Sequence, residues 1–193
     1  YGLVGSEMCI RDSTWTYDPL ESRNAYFNIA KLGAICSTYK PNYYGEMADD
    51  LNAGIPSDRL QVDWWVNSRR VVKRLSRGKP TGMDLAHYLA AGVSIINQTR
   101  LNEADLPVPY KDSMDTLESP ETRPNIALFE IPGNFQALKK ADMDLAREWR
   151  LYSRVIFELF FSHGYLITDF VYMPGDEPRS YYVLTHGEAT IGF

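Results

Sequence analysis

The stretch Thr14 to Gly45, TWTYDPLESRNAYFNIAKLGAICSTYKPNYYG, constrains the fold more than any other part of the chain. It reads as strand, helix, strand. Thr14 to Tyr17 is short, β-branched and aromatic, a composition that suits a pleated, half-buried surface. Asp18-Pro19 stops this strand and opens a helix, with Asp18 as the cap and the proline in the first turn, where its missing N–H costs nothing. Ala25, Ile29 and Leu32 share one face, flanked by Tyr26 and Ala30, so one side of the helix packs on a sheet. Gly33 ends the helix, and Ile35 to Tyr39 is the next strand.

The rest of the chain continues the alternation. Asn42 to Pro56 is loop, punctuated by Gly45, Asn52, Gly54 and Pro56. Leu60, Val62 and Trp64 alternate with Gln61, Asp63 and Trp65, a strand with one buried face. Ser68 caps a short basic helix with Val71, Val72 and Leu75 on its apolar side, and Gly78-Lys79-Pro80 breaks it. Asp84 to Ala91 forms a helical turn, and Val93 to Gln98 a strand. Leu101 to Asn125 holds Pro107, Pro109, Pro120 and Pro124 among polar residues; it reads as a loop or linker between two lobes, residues 14–100 and 126–193. In the second lobe Ile126 to Ile131 is a strand stopped by Pro132. Asn134 caps a short helix, and Asp142 or Asp144 starts the longest helix, which runs to about His163. Its apolar positions Leu145, Trp149, Tyr152, Ile156, Leu159 and Phe160 fall at spacings of three and four. Gly164 ends it, and Tyr165 to Tyr172 pairs with Arg179 to Thr185 as a hairpin across Gly175. Both lobes thus run strand, helix, glycine, strand, loop, strand. The expected fold is α+β, a mixed, mainly antiparallel sheet with packed helices.

Composition excludes several functions. A net charge of −5 over 193 residues leaves no dominant basic face for nucleic acid. The main basic cluster, Arg69, Arg70, Lys73, Arg74, Arg77 and Lys79, reads as a solvated helix face. No apolar run reaches the roughly 18 residues that a spanning helix needs, so no membrane contact is expected. Of two cysteines, Cys36 lies in a strand and reads as a buried small residue; no disulfide framework is implied, which points to a reducing, cytoplasmic setting. His87, His163 and His186 have no triad or metal spacing, and no metal is expected.

The run S-R-N-A-x-F-N-x-x-K-L-G after a strand ending in D-P, followed by N-Y-Y-G-E-M, resembles the second half of a GNAT-superfamily (GCN5-related) N-acyltransferase. N-A-G-I-P-S-D-R-L-Q-V-D-W-W (Asn52 to Trp65) and E-I-P-G-N-F-Q-A-L (Glu130 to Leu138) resemble the same predicted-acetyltransferase branch, so the likeness runs in patches from Thr14 to about Leu184. It implies that the opening unit supplies the fifth strand, fourth helix and sixth strand of that fold. Leu60 to Trp65 would be the seventh strand, antiparallel to the fifth or sixth, and the second lobe an addition. It implies acetyl-CoA or another acyl-CoA as cosubstrate and a small-molecule amine or amino acid as acceptor. The family's glycine-rich pyrophosphate turn, roughly R/Q-x-x-G-x-G/A, would lie just upstream of Thr14 and is absent. Tyr1 to Ser13, YGLVGSEMCIRDS, resembles a translated sequencing adapter instead. On that reading these residues are set aside from the fold, and the chain is a C-terminal fragment that lacks its pyrophosphate loop.

The implied chemistry is direct attack of an amine on a thioester. It needs a base, a polarising strand amide and an acid for the leaving thiolate. The family's acid, a helix tyrosine four residues before the terminal glycine, falls on Ile29, which cannot serve. Tyr26 is the nearest hydroxyl. Asn24 and Asn28, one turn apart, match the helix position that contacts CoA. Tyr44 and Glu46 end the sixth strand where the acceptor would approach, with Glu46 a base if burial raises its pKa. Arg59 could hold an acceptor carboxylate, or an ion pair of Arg59 with Asp58 or Glu46 could be structural. The other reading is a non-catalytic, degenerate acyltransferase-like domain that binds a ligand or partner.

Overall fold

The computed structural model describes residues 12–45, 54–76, 82–109 and 123–187. In chain order the elements are β1 (Asp12–Tyr17), α1 (Ser22–Ala25), a π-helical segment (Tyr26–Lys31), β2 (Ile35–Lys40), β3 (Arg59–Trp65), α2 (Arg69–Ser76) and α3 (Leu85–Ala90). Then come β4 (Ser94–Ile95), β5 (Arg100–Leu101), β6 (Pro107–Val108), β7 (Ile126–Pro132), α4 (Phe135–Ala141), α5 (Met143–Ser162), β8 (Tyr165–Met173) and β9 (Arg179–His186). Seven strands form one sheet in the order β1-β3-β2-β8-β9-β7-β4, and β5 pairs with β6 apart from it. All its pairings are antiparallel except β4 with β7. The protein is therefore α+β with a mixed, mainly antiparallel sheet.

The strand order contains a repeat. In the first unit β3, last in sequence, lies between β1 and β2; in the second β9 lies between β7 and β8. Each unit's helix ends at a glycine with positive φ, 73° at Gly33 and 78° at Gly164, a conformation that glycine adopts without the cost of a Cβ. The strand after each glycine carries a register shift, between Ile35 and Thr38 in β2 and between Ile167 and Asp169 in β8. The units join where Cys36 pairs with Ile167, each three residues past its glycine. The strand order reads the same outward from that pair through the three strands on each side.

The sheet bends at this join. If it were flat, the ends of β1 and β7 would lie five strand spacings apart, about 24 Å. Instead Ser22 Oγ donates to the Gly133 carbonyl at 2.8 Å. Tyr17 and Tyr182 meet hydroxyl to hydroxyl at 3.2 Å, and Tyr182 donates to the Pro19 carbonyl at 2.8 Å. Each unit's helix lies against the other unit's strand. The π-helical segment packs on β8, where Tyr26 meets Tyr172 at 6.3 Å between ring centroids. Helix α5 packs on β2, where Phe157 stacks on Tyr39 at 5.8 Å. One main cluster, including Ile29, Cys36, Leu60, Phe129, Phe157 and Tyr182, runs through both halves. A smaller one, with Tyr88 of α3 against Leu128, Val171, Tyr181 and Val183, fills the alternate positions of β7 and β9.

Two arginines of α5, one helical turn apart, tie it to the first unit. Arg150, 2% exposed, bonds Asp18 at 2.6 Å, and Arg154 bonds Asp58 at 2.7 Å. Asp18 thus has a role other than the expected cap: it accepts from Leu20 N–H in a local turn, while Glu21 precedes the helix without a side-chain cap. The carbonyls at the end of the π-helical segment are met from α2, by Arg70 to Gly33 O at 2.9 Å and Arg74 to Ala30 O at 3.0 Å. Arg74 also pairs with Asp169 at 3.1 Å. Half of the described basic cluster is therefore helix-end ligation, not solvated face. Arg77 and Lys79 lie outside the described residues.

Other expectations need correction at single residues. Val71 is buried, but Val72 and Leu75 of α2 are exposed, because Arg70 and Arg74 turn the helix toward Gly33. The strand expected over Val93 to Gln98 is only Ser94–Ile95; beyond it the Asn97 side chain takes over, bonding both Glu130 O and Glu130 N–H. Part of the expected linker forms the β5–β6 pair. The caps at Ser68, Asn134 and Asp142 each accept the N–H three residues on.

Buried tyrosines give the fold an alkaline limit. Burial, the main cause at each, raises Tyr152 and Tyr181 to about 12 and Tyr17 and Tyr182 well above the phenol range. The neutral hydroxyl is the form the fold favours. This contribution is whole below the unfolded pKa of about 10 and is lost as pH rises through the folded values. Melting temperature should fall steadily from pH about 10 to about 12. A melt unchanged across that interval would show that these hydroxyls ionise freely.

Candidate functional site

Three places carry chemistry-bearing side chains. The first is the helix after β1. Its π-helical turns replace the expected α-helical spacing: Leu32 N–H reaches back five residues to Phe27 O, and Ala34 N–H six residues to Asn28 O. Asn24 and Asn28 therefore do not share a surface. Asn24 is exposed, whereas Asn28 is buried and its Oδ1 accepts from Trp15 Nε1 at 3.0 Å. Asn28 holds the helix to β1. Tyr26 is half-buried against Tyr172, with Lys31 Nζ 5.3 Å from its ring centre. Ile29 is fully buried.

The second place is the end of β2 and the start of β3. Asp58 is 0% exposed, and its carboxylate accepts four hydrogen bonds. Tyr39 hydroxyl (2.7 Å) and Arg154 Nε (2.9 Å) reach Oδ2; Asn42 N–H (2.8 Å) and Arg154 Nη2 (2.7 Å) reach Oδ1. This overturns the expected Asp58–Arg59 pair. Asp58 joins α5 to the first unit and has no lone pair in hand for a substrate proton. Its bond raises the Arg154 guanidinium above its ordinary value, and burial followed by the charge of Asp58 pushes the Tyr39 hydroxyl up. Ser57 clamps the neighbouring turn, accepting from Tyr44 N–H at 2.9 Å and donating to Gly45 O at 3.0 Å. Tyr44 is 57% exposed, edge-on to Tyr43 at 4.9 Å, and the Arg59 guanidinium lies over its ring at 5.0 Å. Of the residues expected to act, Tyr44 and Arg59 therefore come together. Tyr26 and Asn24 belong to the helix, and Glu46 lies outside the described residues.

The third place is a cavity of about 470 Å³ in the second unit, within the usual range for small-molecule sites. It lies beside β7 just beyond Asn97, between the β5–β6 pair, α4 and the β8–β9 turn. Its wall is apolar, from Leu101, Leu106, Pro107, Ile131, Leu138 and Pro178. Glu130 forms part of its lining, 3% exposed at the side chain, bound to Arg179 at 2.7 Å and accepting from Thr99 N–H at 3.2 Å. Arg179 is raised above its ordinary value by the charge of Glu130 against the opposing effect of burial. Asp105, Asp176 and Glu177 also line it, with Thr99 and Asn134 as uncharged polar groups. Gly133 makes this corner possible: a Cβ there would stand 2.1 Å from Pro178 O. Sequence reading gave Glu130 and Arg179 no role. The one available signal was that a carboxylate in an otherwise apolar strand, ALFEIP, requires a partner.

Among the described residues no group of three or more His, Cys, Asp and Glu could hold a metal ion, and no helix is long and apolar enough to cross a membrane. No family model, curated protein or solved structure matches the chain.

Proposed function

We propose that this chain is part of an acyl-CoA-dependent N-acyltransferase of the GNAT type, which transfers an acyl group to the amine of a small molecule or amino acid. The observation that carries the reading is the strand order of the first unit. Its last strand, β3, lies antiparallel between β1 and β2, and the intervening helix ends at Gly33. The resemblance implies a strand, a helix, a strand and a further strand antiparallel to the first or second, and this antiparallel pairing supports the reading. In such a reaction the neutral amine nitrogen attacks the thioester carbon, the C–N bond forms, the C–S bond breaks and the thiolate takes a proton. Tyr26 and Tyr44 offer hydroxyls in the first unit, and two cations flank the Tyr43–Tyr44 pair, Arg59 over Tyr44 and Lys40 over Tyr43, each at 5.0 Å. The test is thiol release from acetyl-CoA with a panel of small amines, with mass analysis of the product. It uses the full product of the source gene. Acylated product with release of free CoA supports the reading. No binding of acetyl-CoA by calorimetry would overturn it.

A second reading has a specific observation in its favour. Ile29 replaces the helix tyrosine and is fully buried, Asn28 is engaged by Trp15, and the described cavity lies in the other unit. These features suit a degenerate acyltransferase-like domain that binds a ligand without turning it over. Amine binding without acetyl-CoA binding would select it.

A further inference from the structure

We infer that the cavity beside β7 binds a small organic cation, a primary amine on an apolar body, with its ammonium toward the β8–β9 turn and its body against Ile131 and Leu138. The inference does not rest on the acyltransfer reading: the cavity is lined by none of Tyr26, Tyr44 and Arg59, and binding there is a separate property. The argument starts from enclosure. At about 470 Å³, with one side closed by β7 and α4 and another by the β5–β6 pair, the cavity can desolvate a small molecule's apolar part. Charge then selects the ligand. The guanidinium of Arg179 is the one cation among the lining residues, and Glu130 holds it through Nε at 2.7 Å and Nη2 at 3.2 Å. That pair is neutral as a unit. The carboxylates of Asp105, Asp176 and Glu177 remain as a net negative field over the same space. A carboxylate or phosphate ligand would meet that field as a like charge, whereas an ammonium is attracted and finds acceptors. Glu130 itself adds rigidity: it is fixed from two places, by Arg179 of β9 and by the β4–β5 connection, through Thr99 N–H and, at its own backbone, through Asn97. The wall is therefore held in place before a ligand arrives.

The test is calorimetric titration of the chain at low salt with 2-phenylethylamine, 2-phenylethanol and 3-phenylpropionate, without acyl-CoA. The amine should bind at least tenfold more tightly than the alcohol, and the carboxylate more weakly than both. The variant Ala137→Phe, on the exposed, cavity-lining side of α4, should abolish amine binding with the near-ultraviolet circular dichroism unchanged. The triple variant Asp105→Asn, Asp176→Asn, Glu177→Gln should bring the amine down to the alcohol's affinity; Asp105 sits at φ 57°, which asparagine also adopts. Equal affinity for amine and alcohol overturns the inference, as does amine binding that survives Ala137→Phe. Amine binding without acylation leaves the inference standing and removes the acyltransfer reading. Acylation of amines with no effect from Ala137→Phe does the reverse.

Discussion

Replacing Asp58 with alanine should destabilise the protein by about 3–5 kcal/mol, the usual consequence of removing one partner of a buried ion pair. The carboxylate is fully buried and takes four hydrogen bonds from Tyr39, Asn42 and Arg154. Without it the Tyr39 hydroxyl and Asn42 N–H lose their acceptor, and the Arg154 guanidinium loses its counter-charge. Arg154 is a quarter exposed and can turn partly to water, which places the expected value toward the lower end of that range. Urea denaturation of Asp58→Ala, Arg154→Ala and the double variant would measure it. The single Asp58 variant should be the worst or close to it, and the double variant should recover part of the loss. Strict additivity of the two single changes would mean that the pair does not act as one.

Phe157→Ala should cost about 3–5 kcal/mol, the range for deleting a large buried aromatic side chain. Phe157 is fully buried and stands where the two units meet. It stacks on Tyr39 of β2, and its ring meets Phe129 of β7 and Tyr182 of β9, each at 5.2 Å. The cavity left behind would border all three strands, none of which can collapse into it without leaving the sheet. The measurement is again a urea midpoint, with the slope unchanged. A loss near 1 kcal/mol would mean that α5 slides to refill the space.

Local signals in the sequence were good guides to the elements. Gly33 and Gly164 end helices, Asn134 and Asp142 cap them, and the alternation through Leu60 to Trp65 is a strand with Leu60 and Val62 buried. These features depend on a few adjacent residues. What depends on contacts across the chain was hidden. The π-helical turns arise where Arg70 and Arg74, some forty residues on, meet the helix-end carbonyls, and they separate Asn24 from Asn28. Asp58 sits beside Arg59 in sequence but bonds Arg154, which α5 brings to it from far along the chain. Nothing local marks Arg150 of α5 as the partner of Asp18. The cavity is built from three separate stretches, so no single run of residues announces it.

The packing of α5 on strands of both units has a consequence for how the chain is made. A ribosome adds residues from the N-terminus, and the first unit is complete at Trp65, long before α5 begins at Met143. At usual elongation rates that interval is roughly 10 s. Throughout it β2 presents Cys36 and Tyr39 without their cover, and Asp58 waits for Arg154. The contacts that close the structure are among its longest in sequence separation, a topology that folds slowly. A nascent chain of this protein should therefore remain protease-sensitive over β2 until α5 has left the exit tunnel, then become resistant in one step.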